Sequence, residues 1–236
     1  MLKKTKFWIF AIFLALVISG WFLRGNFYNW YHGGNFNSQE CRYNEKCKVL
    51  KQDRDKLQRD FQRNPSSSIK KASKLFTRAM YEQLFQCWYG TSWSYSGTTE
   101  TPQEGSIACG YFVTTLLRDA GVPIKRVKLA QCSSAEMIQS LVDPAYIYNY
   151  NRLNMSEFRS AILKKGEHLY IIGLDNHTGF IACIDKEVYF IHSSGVSPFC
   201  VVKEKIMDSG ILKKSSWKLC GAISKDHKFL ERWIKN

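Results

Sequence analysis

Cys109 places a thiol at the start of a predicted apolar helix, where it could act as a nucleophile. The residues that recur there at helical spacing are Phe112, Val113, Leu116, Leu117 and Ala120. Gly121 is typical of a helix end. N–H groups in a first helical turn lack helical partners, so they can favour a thiolate and later an oxyanion. Gly110 would let a substrate approach the sulfur closely, and the alternative is an inert core cysteine.

Two histidines follow in a β-rich part of the chain. Residues 177–184 and 187–192 are predicted as the strands of a hairpin with a two-residue polar turn. In that register His192 lies opposite Gly179 and is the diagonal neighbour of His177 on the same face. Diagonal Cβ atoms are about 7–8 Å apart, so one hydrogen bond could join the two imidazoles. A slip of one residue would put them on opposite faces.

Cys109, His177 and His192 together have the residue types of a thiol hydrolase. His177 would take the thiol proton and later give it to the leaving amine. His192 would accept a hydrogen bond from the far ring nitrogen of His177 and fix its tautomer. Acid–base help of this kind contributes about 10²–10⁴ in rate. This chemistry needs no cofactor. A zinc site is not expected, because the chain lacks the His-x-x-x-His and Cys-x-x-Cys spacings.

Four stretches of the sequence resemble the NlpC-type papain-like cysteine peptidases, and the resemblance covers about residues 75–200. The stretches are 88–98, 109–113, 177–180 and 190–194. The resemblance implies a papain-like α+β domain that cuts an amide in the stem peptides of peptidoglycan. It also implies that Tyr95 lies beside the nucleophile and helps to stabilise the oxyanion. The CHAP amidases are near relatives with the same chemistry.

The sequence departs from this family in two places. Ala108-Cys109-Gly110-Tyr111 stands where the family usually has Asp-Cys-Ser-Gly, which affects substrate positioning more than nucleophilicity. The stretch between Val122 and Leu169 is longer than in a minimal member and could shape a different cleft.

The N-terminus indicates export. Lys3, Lys4 and Lys6 precede the uncharged residues 7–23, and Arg24 follows them. We expect an uncleaved signal anchor, with the catalytic domain outside the cytoplasm as a single-pass membrane protein. A cleaved signal peptide, giving a secreted or periplasmic protein, and a buried soluble helix are the alternatives.

The domain prediction has three parts. Residues 1–36 form the anchor and a juxtamembrane stretch, residues 37–68 a charged stalk or packing helix with a linker, and residues 69–236 the hydrolase domain. Helices come first and strands later, as in α+β folds with an antiparallel sheet. Among the eight cysteines, Cys41 and Cys47 could close a small loop, and the other pairings stay open.

The net charge of +14 favours anionic partners. For an exported domain these would be peptidoglycan or another anionic envelope polymer, and the N-terminal helix would contact the membrane. Nucleic acid is not expected, because zinc-finger spacings and Gly-rich phosphate loops are absent from the sequence. Two other functions stay open: a non-catalytic envelope-binding module, and an acyl transferase or toxin-type amidase with another target. The oligomeric state stays open as well.

Overall fold

The computed structural model describes residues 41–236, which belong to a compact unit spanning Glu40–Asn236. The predicted membrane segment and its alternatives lie outside the described residues. Within the described part, no helix has the length and apolar character needed to cross a membrane.

The helices come mostly before the sheet along the chain. They are α1 Tyr43–Phe61, α2 Pro65–Arg78, a π-helical turn Ala79–Leu84, α3 Phe85–Trp88, α4 Cys109–Asp119, α5 Arg126–Ala130, α6 Ser134–Leu141, a 3₁₀ turn Pro144–Tyr146, α7 Met155–Leu163, α8 Gly210–Lys214 and α9 His227–Lys235. The strands are β1 Ile147–Asn149, β2 Leu169–Leu174, β3 Thr178–Ile184, β4 Glu187–Ser193, β5 Val201–Lys205 and β6 Lys218–Gly221.

The strands form one six-stranded sheet with the order β1-β6-β2-β3-β4-β5, and every neighbouring pair is antiparallel. The predicted α+β class with an antiparallel sheet is therefore confirmed. The two central strands, β2 and β3, are buried along their whole length, as expected of a sheet covered on both faces.

Helices cover both faces of the sheet. On one face the ring of Phe112 in α4 lies 6.0 Å from that of Phe180 in β3, and Phe85 contacts Phe180 at 5.0 Å. On the other face α7 inserts Phe158 and Ile162 into an apolar cluster with strand residues that include Tyr170, Ile172, Ile181 and Phe190. Because the sheet separates α4 from this cluster, a residue of α4 can approach a residue on the cluster's face only at an end of the strands.

The hairpin of β3 and β4 has the register that the sequence predicted. Ile184 pairs with Glu187, and Phe180 pairs with Ile191. The two turn residues, Asp185 and Lys186, have φ values of 50° and 63°. Positive φ at both central positions is typical of the type I′ turn, whose twist matches that of the flanking strands.

Helix α1 packs against the rest of the unit instead of projecting as a stalk. Leu50 and Leu57 are buried, and Arg54 donates a 2.7 Å hydrogen bond to the carbonyl of Gly121. Of the two predictions for this charged segment, the packing helix is the one found. This helix belongs to the compact unit Glu40–Asn236.

A disulfide joins Cys41 to Cys87, at the two ends of the helical layer formed by α1 to α3. The predicted loop between Cys41 and Cys47 is wrong, because Cys47 is a free cysteine. A pairing over 46 positions depends on how the helices pack, which local spacing does not reveal.

Candidate active site

His177 lies at the tip of the hairpin formed by β2 and β3. The N–H of Leu174 donates a 2.9 Å hydrogen bond to the carbonyl of His177, which closes a tight turn around Asp175 and Asn176. The next residue, Thr178, begins β3 and anchors its hydroxyl on the carbonyl of Ile172. The backbone of His177 is therefore held on both sides.

The two predicted histidines are in direct contact. His177 Nε2 lies 2.8 Å from His192 Nδ1, and the two rings stand almost perpendicular at 88°. The contact needs Gly179, because a Cβ at that position would meet the Cβ of His192 at 2.8 Å. The diagonal pairing expected from the register is therefore the arrangement found.

Cys109 is the first residue of α4 and is a free cysteine. Together with His177 and Thr178 it lines a cavity of about 480 Å³. The backbone N–H groups of Thr178 and Gly110 face its sulfur and favour the thiolate. The helix N-terminus and the turn that carries His177 therefore converge on one thiol.

Burial determines the resting charge of this pair. It raises the pKa of the Cys109 thiol, against the opposing effect of the nearby backbone N–H groups. Burial also lowers the pKa of His177 to about 3; the neighbouring His192 adds to this shift, and Glu204 opposes it. The resting site therefore holds a neutral thiol and a neutral imidazole. The N–H groups at the helix start were expected to favour the thiolate, and they do lower the pKa of Cys109, but burial outweighs them.

The segment that leads into α4 is fixed to the strand that carries His192. Ser193 donates a 2.6 Å hydrogen bond to the carbonyl of Ile107. Ser193, which follows His192, thus holds Ile107, which lies two residues before Cys109. This buried contact joins parts of the chain 86 positions apart and sets the distance between α4 and the end of β4.

Gly110 has a different role from the one predicted. A Cβ at this position would lie 2.5 Å from the carbonyl oxygen of Ala130 in α5. The glycine is therefore required by the close packing of α5 on α4, and substrate approach is not needed to explain it.

Asp175, in the turn that precedes His177, also lines the cavity. Its carboxylate accepts hydrogen bonds from the N–H groups of Ser216 at 2.7 Å and Trp217 at 3.0 Å. These bonds, led by that from Ser216, lower the pKa of Asp175. Trp217 is held there and lines the cavity together with Cys109.

Glu204 in β5 also escaped the sequence analysis. Its Oε2 lies 3.7 Å from His192 Nε2, and both side chains are withdrawn from solvent, with exposed fractions of 15% and 0%. Side chains alternate between the two faces along β5. Val202 lies opposite His192, so Glu204, two residues further on, lies on the same face as His192. Finding it requires the pairing of β4 with β5, which local sequence signals do not reveal.

Tyr95 is not brought to the site. Its side chain is 90% exposed, and the described residues that line the cavity of Cys109 do not include it. The oxyanion role that the resemblance implied for Tyr95 has no support in this geometry. The unpaired N–H groups at the start of α4 remain the candidates for that role.

No group of three or more His, Cys, Asp or Glu side chains within residues 41–236 is arranged to hold a metal ion. Comparisons of the chain with protein-family models, with curated proteins and with solved structures find no match.

Proposed function

We propose that this chain is a papain-like cysteine hydrolase of the NlpC type that cleaves an amide in the cell envelope, with the stem peptides of peptidoglycan as its first candidate substrate. The observation that carries the proposal is the convergence of a free thiol, a helix N-terminus and a hydrogen-bonded histidine pair on one cavity. The chain order, with Cys109 at a helix start and then His177 and His192 in the hairpins of an antiparallel sheet, supports the same assignment.

The geometry supports a mechanism in which proton transfer accompanies attack. The sulfur of Cys109 bonds to the amide carbonyl carbon while its proton passes to Nδ1 of His177, because Nε2 already faces His192. N–H groups at the start of α4 stabilise the oxyanion. The carbon–nitrogen bond then breaks, and His177 returns the proton to the leaving amine. Water activated by His177 hydrolyses the thioester and restores the thiol.

The disulfide between Cys41 and Cys87 supports the proposed location. Structural disulfides persist mainly in oxidising compartments outside the cytoplasm. A domain anchored by the N-terminal segment and facing the envelope would fold in such a compartment. The basic net charge of +14 favours the anionic polymers found there.

The test compares the full chain with two alanine variants on purified cell-wall sacculi, with released fragments identified by mass spectrometry. We expect new amine termini from the wild type and from Cys132→Ala, and background levels from Cys109→Ala. Cys132 is the matched control, because it is a second free thiol on the same cavity wall. Equal release by wild type and Cys109→Ala would reject the hydrolase and favour a non-catalytic envelope-binding module.

One observation favours an acyl transferase as the second candidate. A cavity of about 560 Å³ adjoins the first, and Cys132 lines both. Its wall is mainly apolar, and the cationic side chains on it are Lys125, Lys128 and Arg232. Such a cavity suits an aliphatic chain with an anionic group. Incubation with a medium-chain acyl thioester would then leave an acyl group on Cys109, visible as an added intact mass that Cys109→Ala lacks. Acylation of neither protein would exclude this candidate.

A further inference from the structure

His192 uses one of its two ring nitrogens on His177, and the other nitrogen determines how the pair can be protonated. Its Nδ1 lies 2.8 Å from His177 Nε2, so that contact has room for a single proton. A neutral imidazole carries its proton on only one nitrogen. The proton of His192 is therefore either between the two rings or on Nε2, which faces Glu204 at 3.7 Å.

The two arrangements differ in what His177 can do. If His192 carries its proton on Nε2, its Nδ1 accepts from His177 Nε2–H, and His177 Nδ1 has a lone pair for the thiol proton. If His192 carries its proton on Nδ1, His177 Nε2 must accept, and His177 Nδ1 holds a proton already. Only the first arrangement lets His177 act as a base toward Cys109.

A carboxylate beside His192 Nε2 favours the first arrangement. A proton on Nε2 would point to the negative charge, whereas a lone pair there would repel it. Water cannot weaken the effect much, because His192 is fully buried and Glu204 is only 15% exposed. Glu204 also raises the pKa of His177, against burial, and so stabilises the imidazolium that forms during attack.

We propose that Glu204 is a positioning residue that sets the tautomer of the His192–His177 pair, so that the lone pair of His177 faces the thiol of Cys109. This rests on the proposed function for its catalytic consequence, but the tautomer itself is a property of the resting protein. Glu204, His192 and His177 thus form a line of side chains that ends at the cavity lined by Cys109. Glu204 acts through the histidines and does not touch the substrate.

The experiment is nitrogen NMR on the full chain labelled with ¹⁵N-histidine. Long-range proton–nitrogen correlations distinguish the two neutral tautomers, and His177→Gln and His192→Gln variants assign the signals. In the wild type we expect both histidines to carry their proton on Nε2. Glu204→Gln should shift the tautomer ratio toward Nδ1–H by about tenfold to a hundredfold, because it removes the negative charge 3.7 Å from His192 Nε2 in a buried site.

Glu187→Gln is the matched control, since it removes a carboxylate from β4 in the same sheet but at the far end from His192. It should leave the histidine signals unchanged. A wild-type His177 with its proton on Nδ1 would overturn the proposal without any variant, as would an unchanged ratio in a folded Glu204→Gln protein. Digestion of sacculi by the same proteins tests the proposed hydrolase function separately. If no fragments are released but the expected tautomers are found, the proposed function fails and the tautomer proposal stands.

Discussion

Gly110 shows how one absent side chain positions the nucleophile. Its Cα lies where α5 crosses the first turn of α4, and a Cβ there would be 2.5 Å from the carbonyl of Ala130. Gly110→Ala must push the two helices apart at the turn that carries Cys109. We expect a loss of about 1–3 kcal/mol in the free energy of unfolding, measured by urea denaturation.

Gly210→Ala provides the control for this substitution, because nothing lies within 4 Å of the added Cβ at that position. It should change the free energy of unfolding by less than about 0.5 kcal/mol. If Gly110→Ala were as stable as Gly210→Ala, α5 would not be packed on the first turn of α4 as described.

The site residues differ in how well the sequence predicts them. Cys109, His177 and His192 could be named because a helix start and a two-residue hairpin are local signals that fix which side chains share a face. The charge of the thiol could not be predicted, since it depends on burial by elements distant in sequence. Glu204 was missed because its role appears only when β5 is paired with β4.

At the scale of elements, local capping patterns account for several helix starts. Ser133 and Glu136 have the spacing of a capping box and form one at the start of α6. Helix α2 begins at Pro65 with Asn64 as its cap. Helix α9 was not predicted, although its buried residues recur at helical spacing: Phe229, Leu230, Trp233 and Ile234.

The disulfide ties the start of α1 to the end of α3, and its loss is the test at this scale. In the chain-entropy treatment, a loop of 46 residues contributes about 4 kcal/mol by restricting the unfolded chain. The double variant Cys41→Ala, Cys87→Ala should therefore unfold at a clearly lower temperature by calorimetry. Cys47→Ala removes a free thiol of α1 and should change the midpoint much less. Equal midpoints for the two proteins would show that the bridge does not restrain the unfolded chain.

Over the whole molecule, buried neutral histidines make stability depend on pH. Burial lowers the pKa of His168 to about 4 and that of His177 to about 3, whereas an unfolded histidine titrates near 6.5. Between these values the unfolded chain binds more protons than the folded protein, so the free energy of unfolding falls as the pH falls. Between pH 6.5 and 4.5 the expected loss is about 2–3 kcal/mol for each histidine, at 1.36 kcal/mol per pKa unit.

Urea denaturation across this pH range can separate the two histidines. His168→Gln should remove about a third of the slope, because burial also lowers the pKa of His192. It should do so without touching the candidate site, because His168 precedes β2 and does not line the cavity of Cys109. The range stops at pH 4.5 because carboxylates such as Asp175, whose pKa is lowered by backbone hydrogen bonds, also destabilise the fold in stronger acid. A flat profile from pH 6.5 to 4.5 would mean that these imidazoles take up protons over the same range in the folded protein as in the unfolded chain, and that burial does not lower their pKa.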